Sequence, residues 1–158
     1  MNEYLKNSMY TMIIINDWEG VMGFHDMYRM SSHAVICNQQ RQILLLKANY
    51  ADHAWGLPGG GLDVGETIHE GLIRECQEEL GCDIDIQYLS GVYYHSAVNS
   101  HAFIFRCELK NMTGNIKIQL SHEHSEYDWF DLASLSEVQK LRVQDCLAFN
   151  GKVMSRAF

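Results

Sequence analysis

The chain has 158 residues, 47% of them hydrophobic, enough for one domain with a sizeable core and too few for two comfortable ones. Its formal net charge of -8 argues against a broad electrostatic footprint for extended nucleic acid or an anionic membrane, so a small anionic substrate would need a cation to meet it. Five cysteines, Cys37, Cys76, Cys82, Cys107 and Cys146, show no close paired spacing, and neither a zinc site nor a disulfide framework is expected.

Residues 1–8 lack a signal-peptide pattern and the apolar run 12–15 is far below a membrane span, so a reducing cytoplasm is the expected setting. The apolar, β-branched residues 9–16 predict a strand, followed by a turn at 17–20. Residues 1–30 read as an extension ahead of a domain at 31–158. They would cap the sheet, form the edge of a homodimer or cover the substrate, and the pattern does not choose. Residues 32–37 and 42–47 predict two strands joined by the polar Asn38-Gln39-Gln40-Arg41, either a hairpin or one long bent strand. Further strands are predicted at 84–95 and 101–109, with a polar stretch between them, and a short one at 127–130. Tyr93 and Tyr94 place one ring in the core and the other near a base-binding cleft. Residues 132–135 lead into a helix at 136–149, with Leu141, Val143, Leu147 and Ala148 as buried candidates.

The central segment carries the chemistry. Trp55-Gly56-Leu57-Pro58-Gly59-Gly60-Gly61 holds three consecutive glycines, more backbone entropy than an ordinary turn requires, which points to close backbone approach to a metal or phosphate. A helix over 67–80 would gather Ile68, Leu72, Ile73, Cys76 and Leu80 on one apolar face. Glu75, Glu78 and Glu79, at i, i+3 and i+4, fall on a neighbouring face and repel one another. A solvated acidic face usually interleaves lysine or arginine, yet between Lys47 and Lys110 the only cationic side chains are Arg74 and Arg106. A missing cation is implied, and clustered oxygen ligands suit a hard divalent ion, magnesium first and manganese as substitute.

Gly60, five residues, Glu66, seven residues, then Arg74-Glu75-Cys76-Gln77-Glu78-Glu79-Leu80-Gly81-Cys82 resembles the Nudix box. Every charged and glycine position of that signature is present; Cys76 and Cys82 stand where a larger aliphatic is commoner. The resemblance implies the Nudix α/β/α sandwich with a mixed β-sheet, over roughly 31–149. It implies the Gly59 carbonyl, Glu75, Glu78 and Glu79 as metal ligands, with Gly60, Glu66 and Gly81 structural in the box. Glu66 would hold the loop to the helix through Arg74, which positions the catalytic glutamates or else binds substrate phosphate.

Downstream, Ser121-His122-Glu123-His124-Ser125-Glu126-Tyr127-Asp128-Trp129-Phe130 is similar to the glutamate and aromatic strand of many Nudix enzymes. Glu123 is nearest the position that completes the metal site or acts as general base, with a box glutamate such as Glu75 as the alternative base and Glu126 as the reserve; a solvated loop acid is the bland reading. His122 and His124, alternating without a third partner, read as surface residues rather than zinc ligands. The implied activity is magnesium-dependent hydrolysis of a phosphoanhydride in a nucleoside diphosphate linked to another group, a MutT-like nucleoside triphosphate pyrophosphohydrolase being favoured. The alternatives are a hydrolase of nucleotide sugars or related derivatives and a non-catalytic nucleotide-binding regulator. The proline after the box that marks many ADP-ribose hydrolases is absent, as is the Ser-Gln-Pro-Trp motif of NADH hydrolases.

Overall fold

Alternation along the strands sets up two apolar faces, and one helix covers each. The computed structural model of the protein describes residues 27–50, 53–110 and 118–158; the strand read at 9–16 and the turn at 17–20 lie outside them. Among the described residues the chain runs β1 (Arg29–Ile36), β2 (Ile43–Ala48), β3 (Trp55–Gly56), β4 (Gly59–Gly61), α1 (Ile68–Leu80), β5 (Ile84–His95), β6 (Ser100–Leu109), β7 (His124–Phe130), α2 (Glu137–Leu147) and β8 (Met154–Ala157). β1 thus begins inside the segment read as an extension.

The strands form two sheets. One is mixed, in the order β4-β1-β6-β5-β8, with β1 parallel to β6 and β5 parallel to β8; the other is antiparallel, β3-β2-β7. The connection between β1 and β2 explains the division. Only an isolated bridge, Cys37 to Ile43, ties the two strands at the turn, where Arg41 takes a positive φ of 65°. Beyond it β2 leaves β1 and pairs with β3 and β7 instead.

In β1, Ala34 and Ile36 join Leu72, Cys76 and Leu80 of α1, whereas Val35 between them joins Val143 and Cys146 of α2. β2 and β6 divide the same way: Leu44, Leu46, Phe105 and Cys107 face α1, and Ile43, Leu45 and Ile104 face α2. Strands covered on both faces read as continuous apolar runs, and Ala-Val-Ile in β1 and Ile-Leu-Leu-Leu in β2 do so. The result is an α/β/α sandwich.

Several side chains depart from their expected places. Ile73 is 47% exposed. The buried stripe of α1 is Leu72, Cys76, Glu79 and Leu80, spaced i, i+4, i+7 and i+8, and Ile73 lies just past its edge. In α2 only Val143 and Cys146 are fully buried; Leu141 and Leu147 are half-buried, and Ala148, which caps the helix, is exposed. Tyr93 enters the core, while Tyr94 lies on the opposite face against Tyr28 and His101. β8 and the strand character of Gly59–Gly61 have no local sequence signal. All five cysteines are free thiols.

Candidate active site

A loop and a helix carry most of the acidic groups, and both ends of the helix are set by local chemistry. Thr67 caps α1: its hydroxyl accepts from the Glu70 N–H while the Glu70 carboxylate accepts from the Thr67 N–H, a reciprocal capping box. Gly81 ends the helix in the left-handed conformation, φ 63°, and donates to the Gln77 carbonyl. Between these ends Glu79, Glu75 and Glu78 lie progressively further round from the core stripe, and their side chains are 6%, 16% and 59% exposed.

Arg74 fastens the loop to the helix. Its Nε donates to Glu66 Oε1 at 2.7 Å and its Nη2 to Glu66 Oε2 at 2.9 Å, a bidentate fork, and Nη2 also reaches the Gly61 carbonyl at 3.0 Å. Nη1 turns to Glu75 at 2.9 Å and Glu78 at 3.3 Å. Arg74 therefore neutralises part of the charge of Glu75 and Glu78 and none of that of Glu79. The Arg74 hydrogen bonds, then the Asp63 N–H, push the Glu66 carboxyl down to about 2.

Glu79 has no such partner. It is 4% exposed and accepts one hydrogen bond, from the Gly59 N–H at 2.7 Å. Burial pushes its carboxyl up to about 8; the Gly59 N–H opposes this, and the charges of Glu75, Glu123 and Glu78 add to it. Burial also raises Glu75, against the pull of Arg74. His124 Nε2 lies 3.6 Å from Glu79 Oε1, too long for a hydrogen bond, and burial lowers the histidine, so the contact is between largely neutral groups at neutral pH rather than an ion pair. His124 is buried, contrary to its surface reading, and its Nδ1 has no hydrogen-bond partner.

The glycine loop is closely packed against β1 on one side and the Glu75 side chain on the other. At Gly59, φ is +123°, and a Cβ would stand 2.1 Å from the Ser32 carbonyl oxygen. At Gly60 a Cβ would collide with the Glu75 carboxylate, at 2.7 Å from its carbon. These contacts, not turn flexibility, explain Gly59 and Gly60, whereas at Gly61 a Cβ would meet only the Met30 carbonyl oxygen at 4.0 Å.

The wall opposite the helix comes from the segment before β7. Glu75, Glu78, Glu79, Ser121, His122 and Glu123 line a cleft of about 270 Å³. Asn49 pins that wall: its N–H donates to the Glu123 carbonyl and its Nδ2 to the His122 carbonyl, both at 2.8 Å. Glu126, by contrast, pairs with Lys47 at 2.8 Å and is not among the residues lining the cleft. Tyr50, which the sequence reading passed over, lies close enough to Glu79, Glu123 and Glu75 that their charges, after burial, raise its hydroxyl. No local pattern marks Asn49 or Tyr50; both enter through contacts between the end of β2 and the start of β7.

The donor set fits a hard divalent cation: carboxylates only, one of them buried without a counter-ion, beside a backbone loop that no side chain obstructs. Among the described residues, no three His, Cys, Asp or Glu side chains stand close enough together to hold an ion as they are. Arg74 draws Glu75 and Glu78 towards itself, and the Gly59 N–H holds Glu79.

Comparison with known proteins bears on this site. The family model described as NUDIX domain matches residues 27–146. A MutT-like protein of Streptomyces ambofaciens is 29% identical over 126 residues, 77% of this chain and 78% of that protein. An RNA pyrophosphohydrolase of Vibrio atlanticus is 43% identical over 56 residues, 35% of this chain, and the match spans only 32% of that enzyme. The crystal structure of an ADP-ribose pyrophosphatase from Streptococcus suis superposes with a TM-score of 0.67 at 21% identity, covering 84% of this chain and 100% of that one, a likeness of fold.

Proposed function

The chain belongs to the NUDIX family, and from that premise we propose that it is a magnesium-dependent pyrophosphohydrolase that cleaves a phosphoanhydride in a nucleoside diphosphate linked to another group. The activity class is pyrophosphohydrolase, in keeping with the family and with the description of the Vibrio atlanticus relative. The observation that carries the reading is Glu79, a buried carboxyl with one backbone donor that shares a cleft with Glu75 and Glu123, which is the environment a cation would relieve. Glu75, Glu78, Glu79 and the Gly59 carbonyl are the ligands we assign to magnesium, with manganese as substitute. When bound, such an ion polarises a phosphoryl oxygen and lowers the pKa of water.

The chain's own groups do the rest. Glu123, on the wall facing the helix, takes the proton of the attacking water. Gly59 and Arg74 hold the glutamates in place, and Gly60 lets the Glu75 carboxylate lie against the loop backbone. A nucleoside triphosphate is the favoured substrate on the resemblance to MutT-like enzymes, and a MutT-like protein matches across most of both chains. A regulator that merely binds nucleotide is disfavoured by the intact carboxylate set. Free thiols and an acidic surface fit a cytoplasmic setting. Among the described residues no helix is long and apolar enough to cross a membrane.

The test is a panel of nucleoside tri- and diphosphates, nucleotide sugars and monophosphates, run with magnesium and with chelator in oxygen-18 water. The expected products are a nucleoside monophosphate and the remaining phosphorylated group, with label at the attacked phosphorus and little action on monophosphates. Label found only in inorganic phosphate released from monophosphates would identify an ordinary phosphatase and sink the reading.

A further inference from the structure

A charge that no carboxylate meets among the described residues lies on the other face of the sheet, outside the acidic cleft. Arg142, midway along α2, places its guanidinium carbon 5.6 Å from the ring centroid of Tyr93 and donates to His95 Nε2. Its Nε is buried with no hydrogen-bond partner. Among the described residues no carboxylate pairs with it. Asp145, one turn further on, is already held by the fork of Arg156 at 2.7 and 2.9 Å and by the Tyr93 hydroxyl at 2.9 Å.

The neighbours of Arg142 add no negative charge. His33 Nε2 lies 3.1 Å from the Ser31 hydroxyl, and burial, then the Arg142 charge, pushes the imidazole down to about 4. His95 is lowered by the same two causes in the same order. Both rings are therefore neutral at physiological pH, and the cluster carries the single positive charge of Arg142. Burial works against that charge and the Tyr93 side chain offsets it only in part. Buried charges in folded proteins are normally paired, because an uncompensated one forfeits hydration without return.

His33, His95 and Arg142 are each partly exposed, and the Phe158 ring stacks on His95 at 5.1 Å between centroids. The cluster is also next to the acidic cleft. His33 stands opposite Gly59 in the β1–β4 ladder, and the Gly59 N–H holds Glu79 on the other side. One strand pair separates the anionic cleft from the cationic cluster.

We propose that Arg142, flanked by His33 and His95, forms a second subsite that binds a phosphate group on the α2 face of the sheet. The Nη groups of Arg142 keep planar, charge-assisted donors beyond the one given to His95, suited to a tetrahedral oxyanion, and neutral imidazoles beside them donate or accept without adding repulsion. The phosphate is either a free ion or a phosphate of the nucleotide substrate remote from the bond cut; the second source rests on the pyrophosphohydrolase reading.

The experiment is titration of the full chain with inorganic phosphate, by calorimetry and by phosphorus NMR, with chelator present throughout. Wild type and Glu79→Gln should each bind one phosphate saturably, and Arg142→Met should bind it at least about tenfold more weakly, with partial recovery in Arg142→Lys. His95→Glu gives Arg142 an internal counter-ion, so it should abolish phosphate binding while keeping or raising thermal stability, and it covers the case in which Arg142→Met does not fold. Absence of saturable binding to the wild type, or equal binding by wild type and Arg142→Met, overturns the subsite. Because no metal or turnover is involved, that result is independent of whether the chain is a pyrophosphohydrolase. Steady-state kinetics then separate the sources: a rise in KM of about tenfold with kcat kept, in Arg142→Met, assigns the subsite to a substrate phosphate. An unchanged KM alongside lost phosphate binding assigns it to the free ion.

Discussion

Glu66 and Glu79 belong to the same loop–helix unit and sit in opposite electrostatic worlds. At the loop–helix junction Glu66 is gripped by both prongs of Arg74 and held down near 2; in the cleft Glu79 is buried against one backbone N–H and pushed up to about 8. The chain supplies its own cation where a loop must be fastened. Where it leaves a buried carboxylate without one, we assign the counter-ion to the solution. The same asymmetry recurs with reversed sign between Arg74, which meets four acidic side chains, and Arg142, which meets none among the described residues.

That contrast is most sharply tested at Glu79. Glu79→Gln keeps the size and one acceptor for the Gly59 N–H but removes the charged oxygen, so it should abolish magnesium-dependent turnover while leaving metal-free thermal unfolding unchanged or slightly raised. Wild-type turnover in this variant would show that the buried carboxylate is not a ligand. Glu123→Gln should follow, with kcat lower by about two to four orders of magnitude if Glu123 is the general base. A parallel Glu126→Gln should act normally, since Glu126 is occupied by Lys47 at the sheet edge. Unchanged kinetics in Glu123→Gln would move the base back to the helix.

On the fastening side a milder effect is expected. Glu66→Gln loosens the Arg74 fork without touching the cleft, and partners that orient ligands typically cost about 10- to 100-fold in metal affinity or activity. Isothermal titration with manganese would read the affinity directly. A loss as complete as that of Glu79→Gln would mean that Glu66 is itself a ligand, and the two carboxylates would no longer be a contrasting pair.

The sequence made part of this arrangement legible. The spacing from Gly60 to Gly81 named the residues of both regions, and alternating apolar runs located β1, β2, β5 and β6 because those strands are buried by local composition alone. What it did not separate was Glu79 from Glu75 and Glu78. By i, i+3, i+4 spacing the three look like one acidic face, yet Glu79 is also i+7 from Leu72 and i+3 from Cys76, which puts it on the core stripe. His124 read as surface because an alternating His-Glu-His pattern looks solvated, and its burial depends on β7 pairing with a strand far away in the chain. β4 was invisible because three glycines have no strand preference; its partner β1 makes it a strand. Arg142 gave no signal, since a lone arginine in a polar helix is ordinary until the structure shows no carboxylate paired with it among the described residues.

The smallest expected effect is on stability as a function of pH in the absence of divalent ions, and it isolates Glu79. A glutamate whose folded pKa of about 8 lies above its ordinary value of 4.5 favours the folded state only while protonated. Its contribution is fully present below 4.5 and is lost as pH rises through 8, because the unfolded chain ionises first. Histidine His33, lowered to about 4 from 6.5, acts oppositely: it contributes above 6.5 and is lost as pH falls through 4. The two windows overlap, so the wild-type profile alone is ambiguous, and the informative quantity is the difference between wild type and Glu79→Gln in chelator. That difference should widen against the wild type between pH 4.5 and 8, while His33 and all other groups cancel. Adding magnesium should flatten or reverse the slope in wild type only, by binding the ionised carboxylate of the folded state. Parallel profiles for the two proteins in chelator would place Glu79 in an ordinary hydrated environment and remove the contrast with Glu66.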